Sequence, residues 1–261
     1  MVEKGTPCTF ERQSVTIRKR MNWLVRHLPD PKGGGRILDL GCGMGVYDQE
    51  LERSGYGNII GIDIDETSIG QCAQQVRTTS YIRCASEHLP FREGTFDAVI
   101  MIEVLEHVNN LEFTIAECRR VLKKESSLCI TVPNRGFPFL THGFHLGNRH
   151  FDNIFGIPLP FAPYLPMTIL ERIWNARCFR LRELERLLRN NGFRIEQSGF
   201  LMPAFDDCGF SARVPRRMRG AITTSIEFLD RNENAWMGLS IAMIAKKLPS
   251  IGEGTQRGAL D

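Results

Sequence analysis

The chain has 261 residues, of which 42% are hydrophobic and 24% are charged, and its formal net charge is +3. A chain of this length and composition can bury a full hydrophobic core, which indicates a soluble globular protein and excludes a disordered one. The small net charge gives no reason to expect a nucleic-acid partner.

The eight cysteines are scattered, and no two of them form a Cys-x-x-Cys pair of the kind that binds zinc or cycles between redox states. Such cysteines are typical of reduced, buried thiols. The first thirty residues have no apolar run after a basic start, so no secretory signal is predicted. We therefore expect a cytoplasmic protein.

The first half of the chain alternates between helical and strand patterns. Helical spacing of apolar residues predicts a helix from Glu11 to Leu28, and "LPDPKGGGR" ends it. Five apolar segments follow: "RILDL", "NIIGIDID", "YIRCA", "FDAVIMI" and "SLCITVPN". Helical segments follow the first, second and fourth of them: "VYDQELERSG", "ETSIGQCAQQVR" and "LEFTIAECRRVLK". Apolar strands that alternate with helices indicate a parallel sheet covered on both faces.

The alternation stops over residues 135–178, a segment rich in proline and aromatic residues that we interpret as a lid insertion. It resumes with the helix "FRLRELERLLRNNGF", the strand "FRIEQSGFLM", the helix "RMRGAITTSIEFLDR" and the strand "GLSIAMIAKK". We predict a Rossmann-like, doubly wound α/β fold of seven strands, mostly parallel with an antiparallel last strand. It forms a single domain over residues 1–248, with an N-terminal helical extension (1–34) and a disordered tail (249–261).

The stretch "LDLGCGMG" places a glycine-rich turn between the first strand and the next helix. Its glycines are Gly41, Gly43 and Gly45. Glycine permits a tight turn and a close approach of a ligand to the backbone. Asp39 lies in the strand before the turn, and Asp63 ends the next strand, where doubly wound folds place an acceptor for ribose hydroxyls. Val46 stands where a dinucleotide site has its third glycine, so a nucleoside carrying a small charged group fits better.

Four segments in this order and spacing resemble the class I S-adenosylmethionine-dependent methyltransferases: "ILDLGCGMG", "GIDID", "CASEHLPFREGTFDAVIMIEVLEHV" and "LKKESSLCITVPN". The resemblance covers Arg36 to Asn134 and is strongest to the small-molecule branch that includes quinone-biosynthesis O-methyltransferases. It implies S-adenosyl-L-methionine as the cofactor and an enzyme that methylates a small, lipophilic acceptor at oxygen or carbon. It also implies the cofactor-binding residues: Asp39, Gly41, Gly43, Gly45, Asp63, Ser86, Glu87, Ile102 and Glu103.

The chain departs from the family pattern in the loop after the third strand. The family commonly has an acid-alanine-glutamate run before "LPF", and its first acid contacts the adenine amino group. Ala85 occupies that position here, followed by Ser86 and Glu87, so we expect Ser86 to supply the contact and the adenine to bind less tightly. Asp65, two residues beyond Asp63, is expected to cap the next helix.

A general base is needed only if the acceptor is protonated, as a phenol or another hydroxyl would be. Histidine suits that task because its pKa lies near neutrality. The candidates are His107 in "EVLEH" and His142, His145 and His150 in "THGFHLGNRHFD". Each has a structural alternative, His107 as an organiser of the helix start. The three lid histidines lack the carboxylates that a hard cation prefers, so no metal site is predicted.

Residues 154–170 form a seventeen-residue stretch without charge, too short and too rich in proline to span a bilayer as a helix. We expect it to line the acceptor site and, with the arginines that follow, to contact a membrane surface peripherally over residues 154–180. A plain hydrophobic cover or a dimer contact are the alternatives, and the oligomeric state is open.

Two other functions stay open at this point. One is methylation of RNA or protein, with residues 171–220 as the docking surface, since they hold eleven arginines against six acids. RNA enzymes that methylate exocyclic amines carry an Asn-Pro-Pro-Tyr-like motif where this chain has "IEVLEH", so nucleic acid is the less expected substrate. The other is a non-catalytic S-adenosylmethionine-binding module.

Overall fold

The computed structural model describes residues 15–75, 78–137, 144–146, 149–151, 176–202, 214–230 and 238–249. The strands are β1 (Ile37–Leu40), β2 (Ile59–Asp63), β3 (Ser80–Arg83), β4 (Phe96–Ile102), β5 (Leu122–Pro133), β6 (Phe144–Leu146), β7 (Arg149–Phe151), β8 (Phe193–Leu201) and β9 (Ser240–Lys247). The α-helices are α1 (Val15–Val25), α2 (Val46–Arg53), α3 (Glu66–Gln75), α4 (Leu111–Val121), α5 (Leu181–Asn190) and α6 (Arg216–Asp230).

Seven of the strands form one sheet in the order β3-β2-β1-β4-β5-β9-β8. Strands β1 to β5 pair in parallel, and β9 lies antiparallel between β5 and β8. The predicted doubly wound sheet with an antiparallel last strand is therefore confirmed. The strand order reverses between β1 and β4, and such a switch point leaves a crevice at the carboxyl ends of the strands.

Two hydrophobic clusters cover the two faces of the sheet, because successive residues of a strand point to opposite sides. One joins β-strand residues such as Leu38 and Val99 to helices α4 and α5. The other joins Ile37 and Ile100 to α1 and α2. Helix α1 contributes Leu24, which is fully buried, so the predicted N-terminal helix packs as part of the domain core.

The largest difference in element boundaries lies between α4 and β5. The helix ends at Val121, two residues before the end of the predicted helix, and the strand begins at Leu122, five residues before the predicted strand. Leu122 is fully buried and pairs with Phe96, which fixes it in the sheet before a register shift. The hairpin of β6 and β7 was not predicted from the sequence.

Parts of the sequence predictions lie outside the described residues: positions 1–14 of the extension, the uncharged stretch 154–170, most of the lid insertion and positions 250–261 of the tail. In the described part of the chain, no helix combines the length and the apolar character needed to cross a membrane.

Candidate functional site

A cavity of about 280 Å³ opens at the carboxyl ends of β1, β2 and β4. It lies at the switch point of the sheet, where doubly wound folds bind ligands. Its walls are the turn after β1, the end of β2, the loop after β3 and the loop after β4. The lining residues are Leu40, Gly41, Ile62, Asp63, Ile64, Cys84, Ala85, Ser86, Glu87, Glu103, Val104, His107, Val108 and Asn109.

The glycine-rich turn forms the floor of the cavity at Gly41. Its φ is +78°, and a β-carbon there would lie 2.4 Å from Cγ2 of Val104, so only glycine fits. Gly43 and Gly45 also have positive φ, +51° and +71°. Neither is among the residues that line the cavity, and Gly45 is the N-cap residue of α2.

Asp63 ends β2 with its carboxylate fixed by two backbone donors. Gly43 N donates to Oδ2 at 2.8 Å, and Asp65 N donates to Oδ1 at 2.9 Å. Each carboxylate oxygen has a further lone pair, so Asp63 can still accept hydrogen bonds from ligand hydroxyls in the cavity. Asp65 Oδ2 accepts from Ser68 N at 2.8 Å at the start of α3, which confirms the predicted helix cap.

Asp39 lies beneath the turn rather than in the cavity wall. It is 2% exposed, and the Asp48 side chain is fully buried close to it. Burial, together with the Asp48 carboxylate, raises the pKa of Asp39 well above its usual range. Burial raises the pKa of Asp48 to about 6. Both carboxylates therefore hold their protons more tightly than exposed aspartates do. Sequence reasoning did not single out Asp48, although an acid one turn into a buried helix start was a visible signal.

The loop after β3 is tied to the start of α4 by Ser86 and Glu87. Ser86 Oγ donates to Glu87 Oε2 at 3.0 Å and lies 3.1 Å from Thr114 Oγ1. Glu87 Oε1 accepts from the backbone N–H of Asn109 at 3.2 Å. Burial raises the pKa of Glu87, but these hydrogen bonds lower it by more, so the pKa lies below its usual range. The Ser86 hydroxyl, expected to replace the missing carboxylate, is thus already engaged within the protein.

Glu103 follows β4 in a conformation that non-glycine residues rarely adopt, with φ of +56°. Its Oε1 accepts from Thr131 Oγ1 at 2.9 Å and forms an ion pair with Arg20 Nη2 at 3.1 Å. Ile102, the last residue of β4, is buried and does not line the cavity. Arg20 was not predicted, although it interrupts the apolar stripe of α1 formed by Ile17, Met21 and Leu24.

Of the four candidate bases, the structure places His107 in the cavity wall. Its side chain is 46% exposed, and Nε2 lies 3.8 Å from Glu106 Oε1. Asn110 caps α4 by accepting from Phe113 N, so His107 is not the residue that caps this helix. His145 and His150 stand opposite each other in the β6–β7 hairpin, their side chains lie outside the described ones, and His142 is not described. Within the described residues, no group of three metal-ligating side chains comes together.

The groups that line the cavity fit S-adenosylmethionine, which combines a ribose, an adenine and a positively charged methionine part. The carboxylates of Asp63, Glu87 and Glu103 line the cavity and suit hydroxyl donors and cationic groups. Ile64 is 65% exposed at the same wall and offers an apolar face to a base. The glycine turn lets the ligand approach the backbone, as it would for a nucleoside.

Comparison with known proteins supports this assignment of the cavity. Residues 38–130 match the family model described as a methyltransferase domain. Over 113 residues the chain is 39% identical to the mitochondrial ubiquinone biosynthesis O-methyltransferase of Rattus norvegicus, a match that covers 40% of this chain and 32% of the rat enzyme. The chain thus spans about a third of the length of that curated relative.

Solved structures share the fold over most of the chain. An S-adenosylmethionine-dependent methyltransferase from Mesorhizobium loti matches with a TM-score of 0.59 and 18% identity, covering 88% of this chain and 98% of the other. The [4+2]-cyclase SpnF matches with a TM-score of 0.56 and 18% identity, covering 88% and 81%. The fold is that of the class I methyltransferases, and it also serves a protein named for another reaction.

Proposed function

Because the chain contains a methyltransferase domain with the class I fold, we propose that it is an S-adenosylmethionine-dependent methyltransferase that acts on a small, lipophilic acceptor. The observation that carries the proposal is the cavity itself. Asp63 is fixed to the glycine turn by Gly43 N, and both line or support a pocket at the switch point of the sheet. The matching domain and the named relatives support the same assignment.

Different residues of the cavity bind different parts of the cofactor. Asp63 accepts hydrogen bonds from the ribose hydroxyls. Ile64 and the loop at Ala85 and Ser86 contact the adenine. Glu103, next to the turn at Gly41, faces the methionine part. The bound cofactor supplies the activated methyl group. The protein therefore mainly has to align the acceptor with that group and exclude water, which is a large source of rate acceleration.

The lid insertion supports the acceptor side of the proposal because its end contacts a cavity residue and its start is hydrogen-bonded to that end. At its start, Arg135 N donates to Phe179 O at 2.9 Å. At its end, Arg177 Nη1 donates to the carbonyl oxygen of Val108, a cavity residue, at 2.7 Å. Residues 135–178 therefore leave and rejoin the domain beside the pocket. We propose that they cover the acceptor and that residues 154–180 contact a membrane surface peripherally.

A hydroxyl acceptor would have to lose a proton, and His107 is the proposed base that the cavity offers. His142, His145 and His150 lie within the insertion and are retained as candidates for the same role.

The test is incubation of the protein with cofactor carrying a labelled methyl group and an extract of its source cells. After separation into organic-soluble, RNA and protein fractions, we expect the label in the organic-soluble fraction. Label in RNA or protein would replace the small acceptor by a macromolecule. Cofactor binding without label in any fraction would identify a binding module instead. Protein with Asp63 changed to alanine is the control for labelling by contaminating enzymes.

A further inference from the structure

A buried arginine from helix α1 joins the cavity to a part of the chain outside the matching domain. Arg20 Nη2 lies 3.1 Å from Glu103 Oε1 and donates to Ser240 Oγ at 2.9 Å. The Arg20 and Glu103 side chains are only 13% and 16% exposed. The pair thus connects α1, the loop after β4 and the start of β9 in a single contact.

The electrostatics of this contact favour the charged form of the Arg20 guanidinium. Burial lowers the pKa of the Arg20 guanidinium, but Glu103 and Tyr47 raise it by more, so the net shift is upward. Removing one partner of a buried ion pair leaves the other charge without compensation, which costs more than the loss of an exposed pair. Arg20 therefore makes a specific contact within the protein and is not a solvated surface charge.

The backbone of Glu103 explains why its side chain needs support. A non-glycine residue at φ of +56° is held there against its own preference, so its side chain depends on the surrounding contacts for its direction. Two of those contacts are made to the same oxygen, Oε1: the hydroxyl of Thr131 and the guanidinium of Arg20. Oε2 is then the oxygen that can accept from a ligand in the cavity.

We infer that Arg20 is a positioning residue that orients Glu103 toward the methionine part of the cofactor, and that α1 is thereby coupled to cofactor binding. The inference rests on the proposed function, since it assigns a role within the same site. By linkage, a ligand that bonds to Glu103 must stabilise the docking of α1 as much as docked α1 strengthens its binding. Ligands without the amino-acid part make no contact with Glu103, so their affinity does not depend on Arg20.

The test compares two ligands by calorimetry. S-adenosylhomocysteine has the amino-acid part, and 5′-methylthioadenosine lacks it. We expect Arg20→Met to raise the Kd for S-adenosylhomocysteine about tenfold, the range of one hydrogen bond to a charged group, with the Kd for methylthioadenosine almost unchanged. Arg20→Lys, which keeps the charge, should lie between Arg20→Met and wild type. Arg18→Met, at an exposed position of the same helix, is the matched control and should bind both ligands like wild type.

Hydrogen exchange of residues 15–25 gives an independent readout. S-adenosylhomocysteine should slow exchange in wild type and in Arg18→Met, but not in Arg20→Met. If Arg20→Met does not fold, Thr131→Val removes the other contact to Oε1 and should produce the same selective loss. An equal loss of affinity for both ligands, or unchanged affinity in the variants, would overturn the inference alone. Wild-type protein that binds neither ligand would overturn the proposed function and the inference with it.

Discussion

At the scale of single residues, the carboxylates of the cavity are oriented by the protein itself. Asp63, Glu87 and Glu103 each accept hydrogen bonds from fixed donors, so their directions do not depend on a ligand. Such preorganisation removes part of the entropic cost of binding. Asp63 could be identified from the sequence because doubly wound folds place an acceptor for ribose hydroxyls at the end of this strand. The donors that orient these carboxylates could not be identified, because most of them come from residues distant in sequence.

Ala85 stands where the family resemblance led us to expect a carboxylate, and it lines the cavity. We expect Ala85→Asp to strengthen binding of S-adenosylhomocysteine by about tenfold, because a carboxylate can accept from the adenine amino group. The deaminated analogue, which carries hypoxanthine, should gain nothing. Calorimetry with both ligands checks this. Equal affinity of wild type and variant for S-adenosylhomocysteine would show that position 85 does not face the base.

Asp48 predicts a pH dependence of stability. Its pKa is about 6 in the folded protein and near 4 in an unfolded chain, so the folded state binds protons more tightly. The contribution of Asp48 to stability should therefore fall as the pH rises from about 4 to about 6 and stay level above that. Asp48→Asn should remove this pH-dependent contribution. The free energy of unfolding of the variant relative to that of wild type should therefore rise by roughly 2–3 kcal/mol between pH 4 and pH 7.

Urea unfolding at a series of pH values measures that difference. Glu66→Gln, at a side chain that is 79% exposed, is the control and should follow the wild-type profile. A constant difference between Asp48→Asn and wild type at all pH values would contradict a raised pKa of Asp48 in the folded protein.

At the scale of elements, the glycine turn shows what a local pattern can establish. The turn was predicted because glycines follow a buried strand, and the structure gives all three of them positive φ. The reason that Gly41 must be glycine is tertiary, since the obstacle is the Val104 side chain from the loop after β4. The same holds for α4, where burial of Leu122 ends the helix earlier than its sequence pattern indicated.

The turn yields a test with a matched pair. Gly41→Ala should destabilise the protein by about 2 kcal/mol or more, because it combines positive φ with a clash against Val104. Gly43→Ala has a β-carbon in open space and should cost only the backbone term of about 1–2 kcal/mol. Adding Val104→Ala should bring Gly41→Ala close to Gly43→Ala in denaturant unfolding. Equal destabilisation by the two single variants would argue against the close contact.

At the scale of the whole molecule, the parallel sheet could be predicted because apolar strands alternate with helices through residue 134, whereas the order of the strands was not predicted. What could not be predicted is the participation of α1, whose Arg20 joins the pocket through contacts 83 positions away in sequence, at Glu103. Amphipathic spacing predicts that a helix packs, but not where. We propose that the insertion, rather than the sheet, specifies the acceptor, since proteins that share one fold differ in the reactions they serve.

The cavity at the carboxyl ends of β1, β2 and β4 is the proposed binding site of S-adenosylmethionine. Calorimetric titration of the purified protein with S-adenosylhomocysteine tests it most directly, with Asp63→Ala beside Asp65→Ala. Both variants remove a carboxylate from the same loop, but only Asp63 lines the cavity, whereas Asp65 caps α3. We expect one-to-one binding by wild type and Asp65→Ala and a loss of about tenfold or more in Asp63→Ala. No binding by wild type, or equal affinity in both variants, would contradict the account.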